Sequence, residues 1–261
     1  MGPARAVELT VDYGITLAGL SIGAADLKGS FEGDRYRMQV QARLGGLAGA
    51  ITGGKGGGTS NGAVSGARPV PAAFAVTSRS SSAQITVRMG LANGNAVAVD
   101  IQPPLEEKAD RVPLSEVHKR GVIDPVSALL MPSVGRGELI DPANCNRTIP
   151  VFDGATRFNV ILTYAETKTV EKGAFRGPVL VCNARYAPIA GHRQHRPGTK
   201  FMEDNRDMSV WLAPVVGTRL LVPWRIAVQT MIGMSVIEAT RWTSDGTNVT
   251  PTSLRSGAKT Q

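Results

Sequence analysis

Cys145 and Cys182 are the only two cysteines in the 261-residue chain. Two thiols could form a disulfide, hold a metal or supply a nucleophile. In an exported protein, a single pair with no other metal-binding or redox residues around it predicts one structural disulfide. We therefore expect a periplasmic protein in its mature form, because no apolar signal-peptide stretch follows Met1.

The segment from Gly49 to Lys55 matches the start of a phosphate-binding P-loop. That motif needs Ser or Thr after the lysine, to hold magnesium, and then a helix. Here Gly56, Gly57 and Gly58 follow the lysine. The sequence therefore predicts a flexible loop around residues 53–58, and no nucleotide site.

His192 and His195 have the spacing of two metal ligands on a helix, but Gly191 and Pro197 indicate a loop. Arginines beside both histidines would repel a metal ion. Serine is common throughout the sequence, so any pairing of a serine with a histidine would be arbitrary, and disulfide-bonded cysteines cannot attack a substrate. We expect no catalytic residues, no metal and no cofactor, and hence no enzyme.

The formal net charge is +8, which favours either a solvated basic surface or an anionic partner. The residues proposed for such a partner lie on the polar face of the third predicted strand and in the His192 loop; they are Arg35, Arg37, Arg43, Arg193 and Arg196. Aromatic residues make up only 5% of the chain and no recognition helix is visible, so a nucleic-acid partner is not expected. A lipid, a lipoprotein or an envelope protein is the expected class, with at most a peripheral contact to a membrane.

The three tryptophans could line a ligand pocket or simply pack in the core. They are Trp211, Trp224 and Trp242. Trp211 and Trp242 lie on strands predicted near the end of the chain, and Trp224 lies between two of those strands.

Alternating apolar and polar residues predict most of the chain as β-strands. Leu9, Val11, Tyr13 and Leu17 point to one side of the first predicted strand, for example. The strands are predicted at 9–17, 20–28, 36–44, 61–65, 72–78, 83–89, 95–101, 158–164, 179–186, 208–213, 220–222, 225–232 and 234–242. Residues 166–177 are predicted as a charged connection. One helix is predicted over 126–131, capped by Asp124 and ended by Pro132.

These elements predict an all-β protein with a large antiparallel, strongly curved sheet or an incompletely closed barrel. About a dozen one-sided strands must close or curl to bury their apolar faces, and the short helix would fill the interior. We assign residues 1–7 to a leader stretch, 8–242 to a single β domain and 243–261 to a flexible tail.

The two cysteines constrain this sheet. If Asp153-Gly154 is a hairpin turn, both cysteines flank the same central strand, with Cα atoms ~10 Å apart. A disulfide tolerates at most about 7 Å. We therefore predict that the segment around Cys145 leaves the sheet as a loop and is pinned to the Val179–Tyr186 strand.

The order of several short motifs resembles an exported domain-of-unknown-function family of Gram-negative bacteria. The motifs are Tyr13 with Gly19-Leu20-Ser21-Ile22-Gly23, then Gly33-Asp34-Arg35-Tyr36, Asp124-Pro125-Val126-Ser127-Ala128-Leu129, Phe152-Asp153-Gly154 and Pro223-Trp224-Arg225. The resemblance implies a periplasmic, mostly antiparallel β protein and brings no catalytic residues. More loosely, the protein is similar to curved-sheet lipoprotein carriers of the LolA/LolB kind, in which an acyl chain binds to the concave face.

Three functions remain open at this point. The first is a non-enzymatic periplasmic protein that supports envelope integrity by binding a lipid, lipoprotein or protein. The second is a structural scaffold without a ligand cavity. The third is a hydrolase of envelope polymers, for which the sequence offers no paired carboxylates and no activated serine.

Overall fold

The structure is a computed structural model and describes residues 6–45, 54–135 and 137–244. Its strands are β1 (Val7–Leu17), β2 (Leu20–Glu32), β3 (Arg35–Leu44), β4 (Lys55–Ser65), β5 (Arg68–Arg79), β6 (Gln84–Ala92), β7 (Asn95–Gln102), β8 (Met131–Pro132), β9 (Arg147–Phe152), β10 (Arg157–Val170), β11 (Gly177–Ala190), β12 (Met208–Val215), β13 (Leu220–Thr230) and β14 (Gly233–Ser244). Three 3₁₀ turns lie at Glu116–Lys119, Ser127–Leu129 and Pro142–Asn144. The helix α1 spans Pro197–Asp204.

All strands belong to one antiparallel sheet of 14 strands. Along the sheet the order is β7-β6-β5-β4-β3-β2-β1-β14-β13-β12-β11-β10-β9, and the two-residue β8 pairs with β13. The first and last strands thus meet through the β1–β14 pairing, while β7 and β9 form the two edges. The predicted all-β class, with a curved and incompletely closed sheet, is confirmed.

A short segment bridges the gap between the two edges. The amide of Val122 donates to the carbonyl of Gly94 beside β7, and the amide of Ile123 donates to Pro150 in β9. Ile123 also forms a parallel bridge with Val151. The segment therefore covers edge groups that would otherwise be open to pairing with another chain.

The inside of the curve is filled by side chains of the protein itself. Two hydrophobic clusters form the core, and residues 122–131 contribute to both. Val122, Val126 and Leu130 belong to the cluster with Leu9 and Met38. Ile123 and Met131 belong to the second cluster, which lies against β9–β13; we call residues 122–131 the plug.

The α-helix predicted over 126–131 is wrong, because the plug makes only one 3₁₀ turn, at Ser127–Leu129. The turn begins as predicted at Asp124, whose carboxylate accepts the amides of Val126 and Ser127 at 2.9 Å. It ends early because Met131 pairs with Leu221 of β13 and is therefore extended.

The loop predicted around 53–58 is also wrong where the structure describes it. Residues 55–58 belong to β4, which pairs with β5 over its whole length and with β3 from Lys55 to Ala63. Glycine serves a purpose here, since a Cβ on Gly58 would lie 3.2 Å from Val126 of the plug. Residues 46–53, which complete the P-loop-like stretch, lie outside the described residues.

The strands are longer than predicted at several ends. The expected charged connection at 166–177 starts only after Val170, because β10 pairs with β11 as far as Val170–Gly177. Residues 220–230 form one strand instead of two. Residues 243 and 244, at the start of the predicted tail, belong to β14. The rest of the predicted tail, residues 245–261, lies outside the described residues.

The disulfide prediction is confirmed. Cys145 and Cys182 are bonded, with their Cα atoms 5.4 Å apart. Cys145 follows the Pro142–Asn144 turn and precedes β9. The chain leaves the sheet here and crosses β10 beside Tyr164, which donates its amide to Asn146 and pairs with Cys182 of β11. The turn between β9 and β10 is a four-residue loop, 153–156, and not the two-residue turn assumed from the sequence.

The helix α1 lies between β11 and β12 and was not predicted. Pro197 occupies its first turn, where a missing amide proton does no harm. No helix among residues 6–45, 54–135 and 137–244 is long and apolar enough to cross a membrane.

Candidate functional site

The outer face of β2–β6 is the candidate site. Strand pairing aligns Gln41, Gly57, Thr77 and Thr86 in one row and Gln39, Thr59, Ala75 and Arg88 in the next. Because alternate residues of a strand point to opposite faces, these side chains project away from the plug. Small residues form the floor of this surface and leave it hollow.

Three adjoining depressions lie on this face, with volumes of about 640, 440 and 580 Å³. The first two share Thr59 and Ala75, and the last two share Asn61, so they form one open groove. Its charged lining consists of Arg35, Arg37, Arg43, Lys55, Arg79 and Arg88 with Asp26, Glu32 and Asp100. We call this surface the cationic groove.

A row of three cations closes one end of the cationic groove. Arg43 pairs with Lys55, and Lys55 pairs with Arg79, on three neighbouring strands. Adjacent strands lie about 4.8 Å apart, and like charges directly opposite each other destabilise a sheet. The row therefore costs stability unless an anion is bound there.

The row has no acidic partner among the described residues. None of its three members forms an ion pair there, whereas Arg88 is 3.5 Å from Asp100. That pair is largely exposed and therefore weak. The electrostatic character of the groove is thus positive, and strongest at the row.

Sequence reasoning found half of this surface. Arg35, Arg37 and Arg43 lie on its face of β3, as the alternation of that strand predicts. Lys55 lies in the loop predicted at 53–58, and Arg79 lies one residue beyond the strand predicted at 72–78. Arg88 lies within the strand predicted at 83–89, but alternation alone does not show which strands lie beside it. The pairing of glycine-rich β4 with β3 and β5 brings these cations together, and a single sequence does not show that pairing.

Arg193 and Arg196 do not belong to the groove. Arg193 forms an ion pair with Asp110, Nε to Oδ1 at 2.8 Å, and so joins two loops. Arg196 is the residue before α1 and lies beside Tyr186. Of the five arginines proposed to face an anionic partner, the structure therefore brings together only the three on β3.

The tryptophans do not form one pocket. The rings of Trp211 and Trp224 pack 5.6 Å apart, and Trp224 is buried. Trp242 packs instead on Phe175, at 5.3 Å. Lys168 lies 5.0 Å from the Trp211 ring, a cation–π contact that covers this pair from outside.

Neither histidine of the 191–196 turn has metal ligands around it. Within the described ranges, no three His, Cys, Asp or Glu side chains form a group that could hold a metal ion. The backbone of His192 instead accepts the amide of Val112, which joins its turn to the loop before it.

A buried polar cluster lies behind the groove, on the inner side of the same strands. The Asp124 carboxylate accepts the hydroxyls of Ser60 at 2.8 Å and Ser127 at 2.6 Å. Tyr36 and Ser127 share a further hydrogen bond of 2.7 Å. Burial raises the pKa of Asp124 and raises that of Tyr36 to about 12. This cluster fastens the plug to β3 and β4.

A family model described as a protein of unknown function, DUF3108, matches residues 9–240. A solved structure, titled a beta-barrel-like protein of domain of unknown function DUF1849 from Brucella abortus, is 12% identical with a TM-score of 0.49. The alignment covers 92% of this chain and 98% of that one. No curated protein matches the chain.

Proposed function

The chain belongs to the DUF3108 family of proteins of unknown function, and from that premise we propose that it is a non-enzymatic binding protein of the bacterial periplasm. In this proposal it supports the envelope by holding an anionic partner in the cationic groove. The partner group is a phosphate or a carboxylate, carried by a lipid, a lipoprotein or an acidic envelope protein.

The row Arg43–Lys55–Arg79 is the observation that carries the proposal. Three aligned cations without an acidic partner among the described residues pay a repulsive cost that an anion would remove. Arginine also binds phosphate and carboxylate through two parallel hydrogen bonds. Hydroxyls and amides beside the row, such as Thr77 and Gln84, can add neutral hydrogen bonds to the same anion.

The filled interior favours binding on the outside of the sheet. Leu130 and Val122 of the plug are fully buried where a carrier of the LolA/LolB kind would hold an acyl chain. Placing an acyl chain there would require the plug to leave and Asp124 to lose its hydrogen bonds. We therefore do not extend the acyl-carrier analogy to this chain.

A non-enzymatic role is favoured by the position of the hydroxyls. Ser60 and Ser127 lie near a carboxylate, but both are buried, and their hydroxyls are engaged with Asp124 and Tyr36. A substrate could not reach them without opening the sheet. The disulfide supports an oxidising compartment, which fits the proposed periplasmic location.

The proposal is tested by titrating the protein with dihexanoyl phosphatidylglycerol below its micelle concentration, by isothermal calorimetry. We expect binding that weakens as salt rises, because screened charges contribute less. The triple variant Arg43→Gln, Lys55→Gln, Arg79→Gln removes the row and should abolish the binding.

The matched control removes the same charge elsewhere. Arg120, Lys172 and Arg185 are exposed, and none of them forms an ion pair with another described residue. The triple change of these residues to Gln should leave the binding intact. If both triple variants lose binding equally, the binding depends on net charge and not on the row. If the unmodified protein does not bind the lipid, the proposal is wrong.

A further inference from the structure

Two neighbouring turns at one end of the curved sheet carry no charged residues. They are the β1–β2 and β13–β14 turns, within the stretches 13–25 and 226–237, which contain no Asp, Glu, Lys or Arg. At the other end the β2–β3 turn is flanked by Glu32 and Arg35, and the β10–β11 turn contains Glu171 and Lys172. Two adjacent uncharged turns are unusual for a water-facing surface, because hairpin turns are normally polar.

The two uncharged turns also expose large apolar side chains. Leu20 is 72% exposed, Met231 62% and Ile232 75%. Met234 follows in β14 and is partly exposed. Single exposed apolar residues are common on proteins, but four on two turns form a patch that requires an explanation. We call Leu20, Met231, Ile232 and Met234 the apolar tip.

The two turns are held together, so the tip is one surface. The amide of Ala18 donates to the carbonyl of Met234 at 2.8 Å. A Cβ on Gly233 would lie 2.9 Å from the Cβ of Ala18, so glycine allows the turns to touch. Both turns are thereby fixed side by side at the ends of β1 and β14.

The cation row lies at the same end of the sheet. Arg43 pairs with Ala24, four residues into β2 from Leu20, and Leu44 pairs with Gly23. At the rise of a β-strand the row is therefore set back roughly 13 Å from the tip. An apolar tip with cations set back behind it matches the layering of an anionic bilayer, with acyl chains below and charged headgroups above.

We propose that this end of the molecule docks on an anionic lipid bilayer, with the apolar tip inserted among the acyl chains near the headgroups. The cation row then faces the phosphates of the same leaflet. The electrostatic part rests on the proposed function, whereas the inserted tip does not.

Co-sedimentation with lipid vesicles tests the docking. The protein should bind vesicles of phosphatidylcholine mixed with phosphatidylglycerol, and bind much less to phosphatidylcholine alone. The variant Met231→Ser, Ile232→Ser should lower the partition coefficient about tenfold, because two exposed apolar side chains lose their contact with lipid. The control variant Val97→Ser, Val117→Ser removes exposed apolar groups outside the tip and should bind like the unmodified protein.

The two proposals fail in different ways. A tip variant that loses vesicles but still binds dihexanoyl phosphatidylglycerol supports both proposals. Tip-dependent vesicle binding without any binding of the soluble lipid supports the docking and removes the groove proposal. Equal vesicle binding by the tip and control variants would overturn the docking. So would a tip that instead mediates self-association, seen by light scattering as a dimer that the tip variant lacks.

Discussion

Asp124 is a buried carboxyl whose hydrogen bonds come from the strands and from its own turn. Its carboxylate accepts two amides of the plug and the hydroxyls of Ser60 and Ser127. No ion pair reaches it from the described Lys, Arg and His side chains. A charge buried without a cation is costly, and these hydrogen bonds lower that cost.

Burial raises the pKa of Asp124 above its ordinary value of 3.8, and the hydrogen bonds from Ser127, Ser60 and Val126 only partly oppose this. The folded protein then binds the proton more tightly than the unfolded chain. The contribution of the Asp124 carboxyl to stability is fully present below its pKa in the unfolded chain. This contribution is lost as the pH rises through its pKa in the folded protein.

The variant Asp124→Asn tests this assignment. An amide does not titrate, so the unfolding free energy of the unmodified protein minus that of the variant should fall as pH rises above 3.8. Urea unfolding at several pH values measures it. If the difference in unfolding free energy stays constant or grows with pH, the pKa of Asp124 is not raised in the folded state.

The serine that joins Asp124 to Tyr36 gives a second test at this scale. Ser127→Ala leaves one carboxylate oxygen and the Tyr36 hydroxyl short of a buried partner. We expect a loss of about 1–3 kcal/mol in the unfolding free energy. Thermal or urea unfolding checks it, and an unchanged stability would contradict the fastening role of the cluster.

Among the elements, the strands with clean alternation were predictable and the glycine-rich strand was not. On β3, Tyr36 and Met38 alternate with arginines. In the structure Tyr36 and Met38 are buried and the arginines are exposed. In β4 the residues Gly56–Gly58 carry no pattern, because their role is to leave space for neighbours. The row Arg43–Lys55–Arg79 could therefore not be found before β4 was placed.

The disulfide was predictable because the chain has a single pair of cysteines, and strand spacing then predicted that the segment around Cys145 leaves the sheet. The bond also has a measurable consequence. The two bonded cysteines are 37 residues apart in the sequence, and the bond links the segment just before β9 to β11. Replacing both Cys145 and Cys182 with Ser should lower the unfolding free energy by about 4 kcal/mol, on the chain-entropy account. Urea unfolding of the oxidised protein and the double variant measures this, and a loss near zero would contradict it.

Gly62 marks the irregularity in the β4–β5 pairing. A Cβ at this position would lie 2.3 Å from the backbone oxygen of Val70, which cannot move without breaking the strand. Gly62→Ala should therefore lower stability by roughly 1–3 kcal/mol through overpacking. The matched change Gly66→Ala, in the open turn after β4, has only the strain of its positive φ and no clash; an equal loss in both variants would contradict the packing explanation.

At the scale of the whole molecule, the sequence predicted a curved antiparallel sheet around its own internal segment, and the structure has that arrangement. One-sided strands require it, since their apolar faces must be covered. The ends and the outer face were not predictable in the same way. They depend on which turns come together, as Ala18 and Met234 do, and this follows from strand order and not from any local pattern.

The proposed function requires that the outer face of β2–β6 binds an anionic group. The most direct measurement is a two-dimensional NMR titration of labelled protein with dihexanoyl phosphatidylglycerol. We predict shifts concentrated at the amides of Gly57, Thr59 and Thr77 and their neighbours in the cation row, with the plug amides unmoved. Shifts centred on the plug, or no saturable shifts in the cationic groove, would contradict the account.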